Sequence, residues 1–175
     1  SPLREVVTGT PSIMKRFDFP YILKVYRYDD SDNSYTMEYC EHTLKDYISH
    51  NNQKMSPWAR RKMAMQFLYA MNFLHKRGVC HRDLSYGNVL IHTYDDGAFA
   101  VKVSDFGLAK ERNSDLTSTG SSMKGSIEDP ALKSFKDFKP VNDIYSIGFI
   151  LNYIFTGRRD LLADGSRLGS IIQKC

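Results

Sequence analysis

His81-Arg82-Asp83-Leu84-Ser85-Tyr86-Gly87-Asn88 is the stretch on which the reading of this chain turns. It follows a segment with helical periodicity and leads straight into the apolar run Val89-Leu90-Ile91. Seventeen residues after Asn88 comes Asp105-Phe106-Gly107, at the end of another β-like run. Two acids and an amide so placed make chemical sense for phosphoryl transfer. That reaction needs a carboxylate to orient a hydroxyl and accept its proton, and hard oxygen ligands for Mg²⁺. At roughly one in twenty per fixed position, a given tripeptide turns up by chance in a few per cent of chains this long. The pattern His-Arg-Asp-Leu-x-x-x-Asn fixes five positions, so its chance falls to well under about one in a thousand. The two together, in this order, are far more specific than either alone.

Working outward, the region before the motif reads as helix. Thr43 is an N-cap for a helix through Ser49, and Ser56-Pro57 opens a longer one with Pro at its first position. Met63, Phe67, Met71 and Leu74 recur at spacings of three and four, which gives one apolar face, and Gly78 stops the helix. That face reads as core and not as a binding stripe. Further back, Tyr21–Tyr28 and Ser34–Cys40 are strand-like runs around the turn signal Asp29-Asp30-Ser31-Asp32-Asn33. Residues 1–18 carry no clear pattern. After the motif, Val89–His92 and Ala100–Ser104 flank the turn Asp95-Asp96-Gly97. Residues 111–126 are polar and read as a loop, Asn142–Phe155 reads as a helix ended by Gly157, and a last amphipathic piece begins near Ser166. The fold class is α+β, mostly helical beyond residue 42.

The 175 residues suffice for one domain with a sizeable core. The net charge of +4 reads as spread along the chain, and its densest basic run, Arg60-Arg61-Lys62, reads as a solvated helix face and not a nucleic-acid patch. Three cysteines, Cys40, Cys80 and Cys175, fit neither a disulfide framework nor a zinc spacing, which points to a reducing compartment. The N-terminus is no signal peptide. The longest apolar stretch, Ile144–Phe155, is too short to span a membrane and contains Asn152.

The sequence resembles the protein kinase family over essentially its whole length, of the eukaryotic Ser/Thr type. The resemblance implies a protein-kinase-like α+β fold. Residues 1–37 would be the remnant of the small N-lobe, 38–41 the hinge, and 42–175 the helical large lobe, incomplete at its end. It implies that Asp83 is the catalytic aspartate and that Asn88 and Asp105 hold Mg²⁺. Met37-Glu38-Tyr39-Cys40 resembles the gatekeeper and hinge, where backbone groups near Glu38 and Cys40 bind adenine and Leu90 packs under the ring. His81, Phe106 and Gly107 are structural in the family. Asp143 resembles the buried aspartate that braces the catalytic loop, and Pro130 stands where the family has its Ala-Pro-Glu segment. Arg82 implies a phosphate on the loop after Asp105, for which Thr117, Ser118, Thr119, Ser121 and Ser122 are candidates.

Three features depart from the family. No glycine-rich loop, strand lysine or helix glutamate of the small lobe is found, so the chain is expected to be a fragment that is inactive alone. Ser85 stands where Ser/Thr kinases carry a lysine, and Ala131 where they carry a glutamate. The expected function is ATP- and Mg²⁺-dependent transfer to protein Ser/Thr hydroxyls, in the cytoplasm. Its partners would be a protein substrate and a nucleotide, with no nucleic acid, no membrane span, and self-association through an exposed lobe interface. The alternative is a pseudokinase or regulatory binding module. A small-molecule phosphotransferase of similar fold fits the motifs less well.

Overall fold

Helix starts in this chain follow from their caps. The computed structural model describes residues 4–6, 17–29, 31, 34–105, 110–111, 127, 129–132, 137–160 and 169–170. Phe106, Gly107 and the loop hydroxyls Thr117, Ser118, Thr119, Ser121 and Ser122 lie outside them, as does most of the piece that begins near Ser166. Helix α1 spans Leu44–Asn51, and the Thr43 side chain accepts from the Asp46 N–H at its start. Helix α2 spans Pro57–Lys76, with Ser56 accepting from the Ala59 N–H and Pro57 in the first turn. Helix α3 spans Pro140–Thr156, so it begins two residues before the expected Asn142. The reason is a reversed cap, in which the Asn142 side-chain oxygen reaches back to accept from the Lys139 N–H at 2.8 Å. Gly157 ends α3 in the left-handed region (φ 71), and an added Cβ there would run into the Asn52 side chain.

Eight strands complete the described elements. Strands β1 (Arg4–Val6), β2 (Val25–Asp29) and β3 (Ser34–Met37) form an antiparallel sheet in the order β1-β3-β2. β1 is a finding, since residues 1–18 gave no strand signal. The run Tyr21–Tyr28 is split. Only its second half joins β3, while Tyr21 and Leu23 exchange backbone hydrogen bonds with Val103. A second sheet has β4 (His42–Thr43), β6 (Val89–Thr93) and β7 (Phe99–Val103), in that order. The β6–β7 hairpin turns at Gly97 (φ 80). A short pair joins β5 (Val79–Cys80) to β8 (Lys110–Glu111).

The core lies between these layers. Met63, Phe67, Met71 and Leu74 of α2 are buried, together with Val89, Ile91, Val101 and Val103 of the hairpin and Ile147, Ile150 and Ile154 of α3. Full burial of such a side chain stabilises by roughly 1.5–3 kcal/mol each. Two polar ties fix the layers relative to one another. Buried Gln66 of α2 accepts from the Val101 N–H at 2.8 Å. Arg60 donates to the Ile154 carbonyl at 2.6 Å and to the Asn52 side-chain oxygen at 2.7 Å, so one guanidinium joins the ends of all three helices.

Candidate active site

The segment 81–88 has almost no regular structure of its own. Its shape is imposed from outside. The carboxylate of Asp143, 1% exposed in the first turn of α3, accepts from three donors. These are the His81 N–H at 2.8 Å, the Arg82 N–H at 3.0 Å and His75 Nε2 of α2 at 2.8 Å. Arg82, between them, sits in the left-handed region (φ 72), which a non-glycine residue adopts only where its surroundings enforce it. Its half-buried guanidinium faces the Phe138 ring at 5.5 Å. Burial lowers the guanidinium's pKa, and Cys80 and Asp143 oppose that shift.

His81 is fully buried, and both ring nitrogens are engaged. Nδ1 accepts from the Asp83 N–H at 3.3 Å, and Nε2 faces the Ser104 carbonyl at 2.8 Å. These two contacts fit the neutral tautomer with the proton on Nε2. His81 is therefore a brace between the loop and the end of β7.

Asp83 is buried, and its Oδ2 accepts from Asn88 Nδ2 at 3.0 Å. The same amide nitrogen donates to the Asp83 carbonyl at 2.8 Å, which turns the Asn88 side-chain oxygen the other way. The Asn88 carbonyl in turn accepts from both the N–H and the Oγ of Ser104, at 2.9 and 3.1 Å. Asp105 follows Ser104 and also sits in the left-handed region (φ 62). The structure thus brings Asp83, Asn88 and Asp105 to one place, through the pairing of the loop with the end of β7.

Ser85 is explained by its contacts. Its Oγ accepts from the Gly87 and Asn88 N–H groups at 3.2 and 3.1 Å, a local turn that orders the approach to Asn88. Near Ala131, Asp129 does the anchoring. Its carboxylate accepts from the Ala131 N–H and from Asn142 Nδ2, both at 2.8 Å. Ile127 links the loop to α3, donating to the Leu84 carbonyl at 3.0 Å and accepting from Ser146 Oγ at 2.6 Å.

The other edge of the site is held by an ion pair. Glu38 meets Lys102 Nζ at 2.8 Å, with both side chains mostly buried. Its second oxygen accepts from the Lys24 N–H at 3.3 Å, and its own N–H donates to the Lys24 carbonyl at 2.8 Å. Leu90 is the cross-strand partner of Lys102 and shares its face of the β6–β7 hairpin, opposite the buried Val89 and Ile91. Cys40 is partly buried, and its thiol pKa is pushed up to about 12, chiefly by burial and then by Glu38. It is a poor nucleophile at neutral pH.

Mg²⁺ favours one or two protein oxygens completed by substrate phosphates and water. Asp105 and Asn88 each carry a side-chain oxygen of that kind on neighbouring segments. Among the described residues no cluster of three or more His, Cys, Asp or Glu could form a full cage.

Sequence reasoning did not find His75, Gln66, Lys102 or Ser104. Each acts on a partner distant in the chain, and nothing in local spacing marks such a pair.

Residues 5–172 match the family model described as Protein kinase domain. The chain belongs to the protein kinase family. It is 32% identical over 162 residues to the serine/threonine-protein kinase PrkC of Bacillus subtilis, covering 90% of this chain and 24% of that protein. A putative serine/threonine-protein kinase, L673 of Acanthamoeba polyphaga mimivirus, is 29% identical over 97% of this chain and 29% of its own length. The fold is that of a solved complex of the Rad53 kinase domain and SCD2 with AMPPNP, at a TM-score of 0.63 and 24% identity. That match covers 93% of this chain and 57% of the other. The chain spans less than a third of the length of these two curated relatives. No described helix is long and apolar enough to cross a membrane.

Proposed function

We propose that this chain carries the acceptor side of a site that transfers phosphate from ATP to protein Ser/Thr hydroxyls. The observation that carries this reading is the tie between Asp83 and Asn88 beside Asp105. Asp83 Oδ2, oriented by Asn88, would place the acceptor hydroxyl and take up its proton as the phosphoryl group moves to the hydroxyl oxygen and ADP leaves. Asn88 and Asp105 would hold Mg²⁺, which supplies charge neutralisation on the phosphates when bound. Backbone groups near Glu38 and Cys40, with Leu90 beneath, would receive adenine. The Asp143 brace would keep the loop in the shape that Asp83 requires. Arg82 would read a phosphate on one of Thr117, Ser118, Thr119, Ser121 or Ser122.

Within this reading, residues 1–37 belong to the small lobe, 38–41 form the hinge and 42–175 the large lobe. The 175 residues alone would bind ATP weakly, associate through an exposed lobe face and transfer nothing measurable. Ser/Thr specificity rests on the names of the relatives, and a cytoplasmic location on a cysteine count and spacing that fit no disulfide framework.

One observation favours a binding module without turnover. Ser85 turns its Oγ onto its own loop and supplies no cation toward a phosphate. The test is Asp83→Asn in the full-length protein, assayed with Mg²⁺, ATP and generic protein substrates. Transfer by the wild type that falls by about a thousandfold or more in the variant, with unchanged unfolding, establishes the reading. Absence of transfer by the folded wild type across substrates favours the module.

A further inference from the structure

Helix α2 has two faces, and only one of them is core. Trp58 is 67% exposed, Met65 48%, Leu68 40% and Tyr69 51%. At about 100° per residue, Trp58, Met65 and Tyr69 fall within roughly 20° of one line, opposite Phe67 and Leu74. The line runs for about 16 Å from Trp58 to Tyr69 at ~1.5 Å per residue. Exposed large apolar side chains in a row, rather than scattered singly, mark an interaction surface. Trp, Tyr, Met and Arg are also the residues that protein interfaces favour.

Charge gives the second, independent observation. The basic excess is not evenly spread after all. Residues 47–82 contain seven Lys or Arg and no Asp or Glu, which leaves the rest of the chain net negative. Arg61 is exposed and Lys62 partly so, and both flank the apolar line, while Lys76 continues it beyond Tyr69. Lys62 Nζ lies 5.0 Å from the Trp58 ring and 5.6 Å from that of Phe99. Among the described residues no carboxylate pairs with Arg61, Lys62 or Lys76. The stripe is one side chain wide with cations on its borders. That width matches the apolar edge of a single helix, and a bilayer would engage a broader face.

We propose that the outer face of α2 docks an acidic amphipathic segment of a partner protein. The segment's apolar side chains would lie along Trp58, Met65 and Tyr69, and its carboxylates would face Arg61, Lys62 and Lys76. The site lies on the opposite face of α2 from the core and does not depend on phosphoryl transfer.

Trp58 is the sole tryptophan of the chain, so the surface carries its own reporter. Its emission is titrated with a twenty-residue helical peptide of Glu and Leu, with a version carrying Lys for Glu, and with phosphatidylserine vesicles. A saturable blue shift with the acidic peptide, weakened by salt, is expected. Arg61→Glu/Lys62→Glu is expected to weaken it by about tenfold or more. Met65→Ser/Tyr69→Ser removes the apolar half and is expected to weaken it similarly. All these positions are exposed or partly exposed, but Tyr69 also stacks on Tyr21, so unchanged urea midpoints for Arg61→Glu/Lys62→Glu and for Met65→Ser alone verify the fold. No shift with the acidic peptide, equal affinity for the Lys version, a shift with vesicles alone, or undiminished binding by the charge-reversed protein would each overturn the proposal.

Discussion

The loop at residues 81–88 and the segment around Glu38 are each tied down by one carboxylate, and the two ties differ in kind. Asp143 is 1% exposed, comes from a helix some sixty residues away and takes three donors, two of them backbone N–H groups of the loop itself. Glu38 lies just after β3, is 19% exposed and takes one short contact, from Lys102, and one long one, from the Lys24 N–H. The loop is over-determined, which is how Arg82 is kept at a positive φ. The segment at Glu38 rests on one mostly buried ion pair and one long hydrogen bond, fewer ties than Asp143 holds. The loop that carries Asp83 is thus the more firmly held of the two.

The largest expected effect tests the loop. Asp143→Ala leaves the His81 and Arg82 N–H groups and His75 without their acceptor in a dry environment. Buried unsatisfied donors cost about 1–3 kcal/mol each, so a loss of about 3 kcal/mol or more is expected in urea unfolding. A loss below about 1 kcal/mol would remove the distinction between the two regions. Asp143→Asn, which keeps one acceptor oxygen, is expected to fall between the wild type and Asp143→Ala.

A smaller effect divides that network. His75→Ala removes one of the three donors and leaves the backbone contacts of Asp143 in place. Hydrogen bonds to a charged group contribute about 1.5–3 kcal/mol, and His75 is 19% exposed, so a cost near the lower figure is expected. Additivity with Asp143→Ala would show that the two residues do not act together. A shared, non-additive cost is the expected outcome of the double-mutant cycle.

Much of this frame was legible in the chain itself. Thr43, Ser56 with Pro57, and Gly157 mark helix ends, because a cap is a local bargain between a side chain and the nearest backbone. The buried stripe from Met63 to Leu74 follows from periodicity alone. The start of α3 was misplaced because Asn142 caps from inside the helix, a signal without the usual residue in front. Strand β1 was missed because a three-residue edge strand is too short to show alternation, and its register is set by β3. The run Tyr21–Tyr28 misled because its alternation is real but serves two partners, Val103 and β3. In the site, the motif residues and Asp143 were named from the sequence, while the partners His75, Gln66, Lys102 and Ser104 were not. Gln66 and Val101 are thirty-five residues apart, and His75 and Asp143 sixty-eight, and no local pattern encodes such a pairing. Ser85 was noticed for the lysine it replaces, while its service to Gly87 and Asn88 needed coordinates.

Beside Glu38, Lys102→Met keeps the aliphatic stem and removes the charge. Glu38 then retains only the Lys24 N–H for a mostly buried carboxylate, and a cost of about 1–2 kcal/mol is expected in the same unfolding assay. A cost matching that of Asp143→Ala would show that the segment at Glu38 is as firmly determined as the loop.

The smallest effect, and the finest probe of that edge, is the titration of Cys40. Its thiol pKa is raised from 9.0 to about 12 by burial and by Glu38, and Lys102 opposes the shift. Alkylation by iodoacetamide, followed for Cys40 by mass spectrometry, should therefore stay slow through pH 9 and accelerate only toward the raised value. The sign for stability follows from the same shift. The folded state holds its proton more tightly than the unfolded state, whose thiol ionises near 9.0. The contribution is complete below pH 9 and is lost as pH rises from there toward about 12. Lys102→Met removes the one charge that favours the thiolate, so it should slow alkylation further at every pH below that value. Faster alkylation in this variant would mean that the segment around Glu38 and Cys40 had opened, and that the ion pair, not burial, keeps reagents from Cys40.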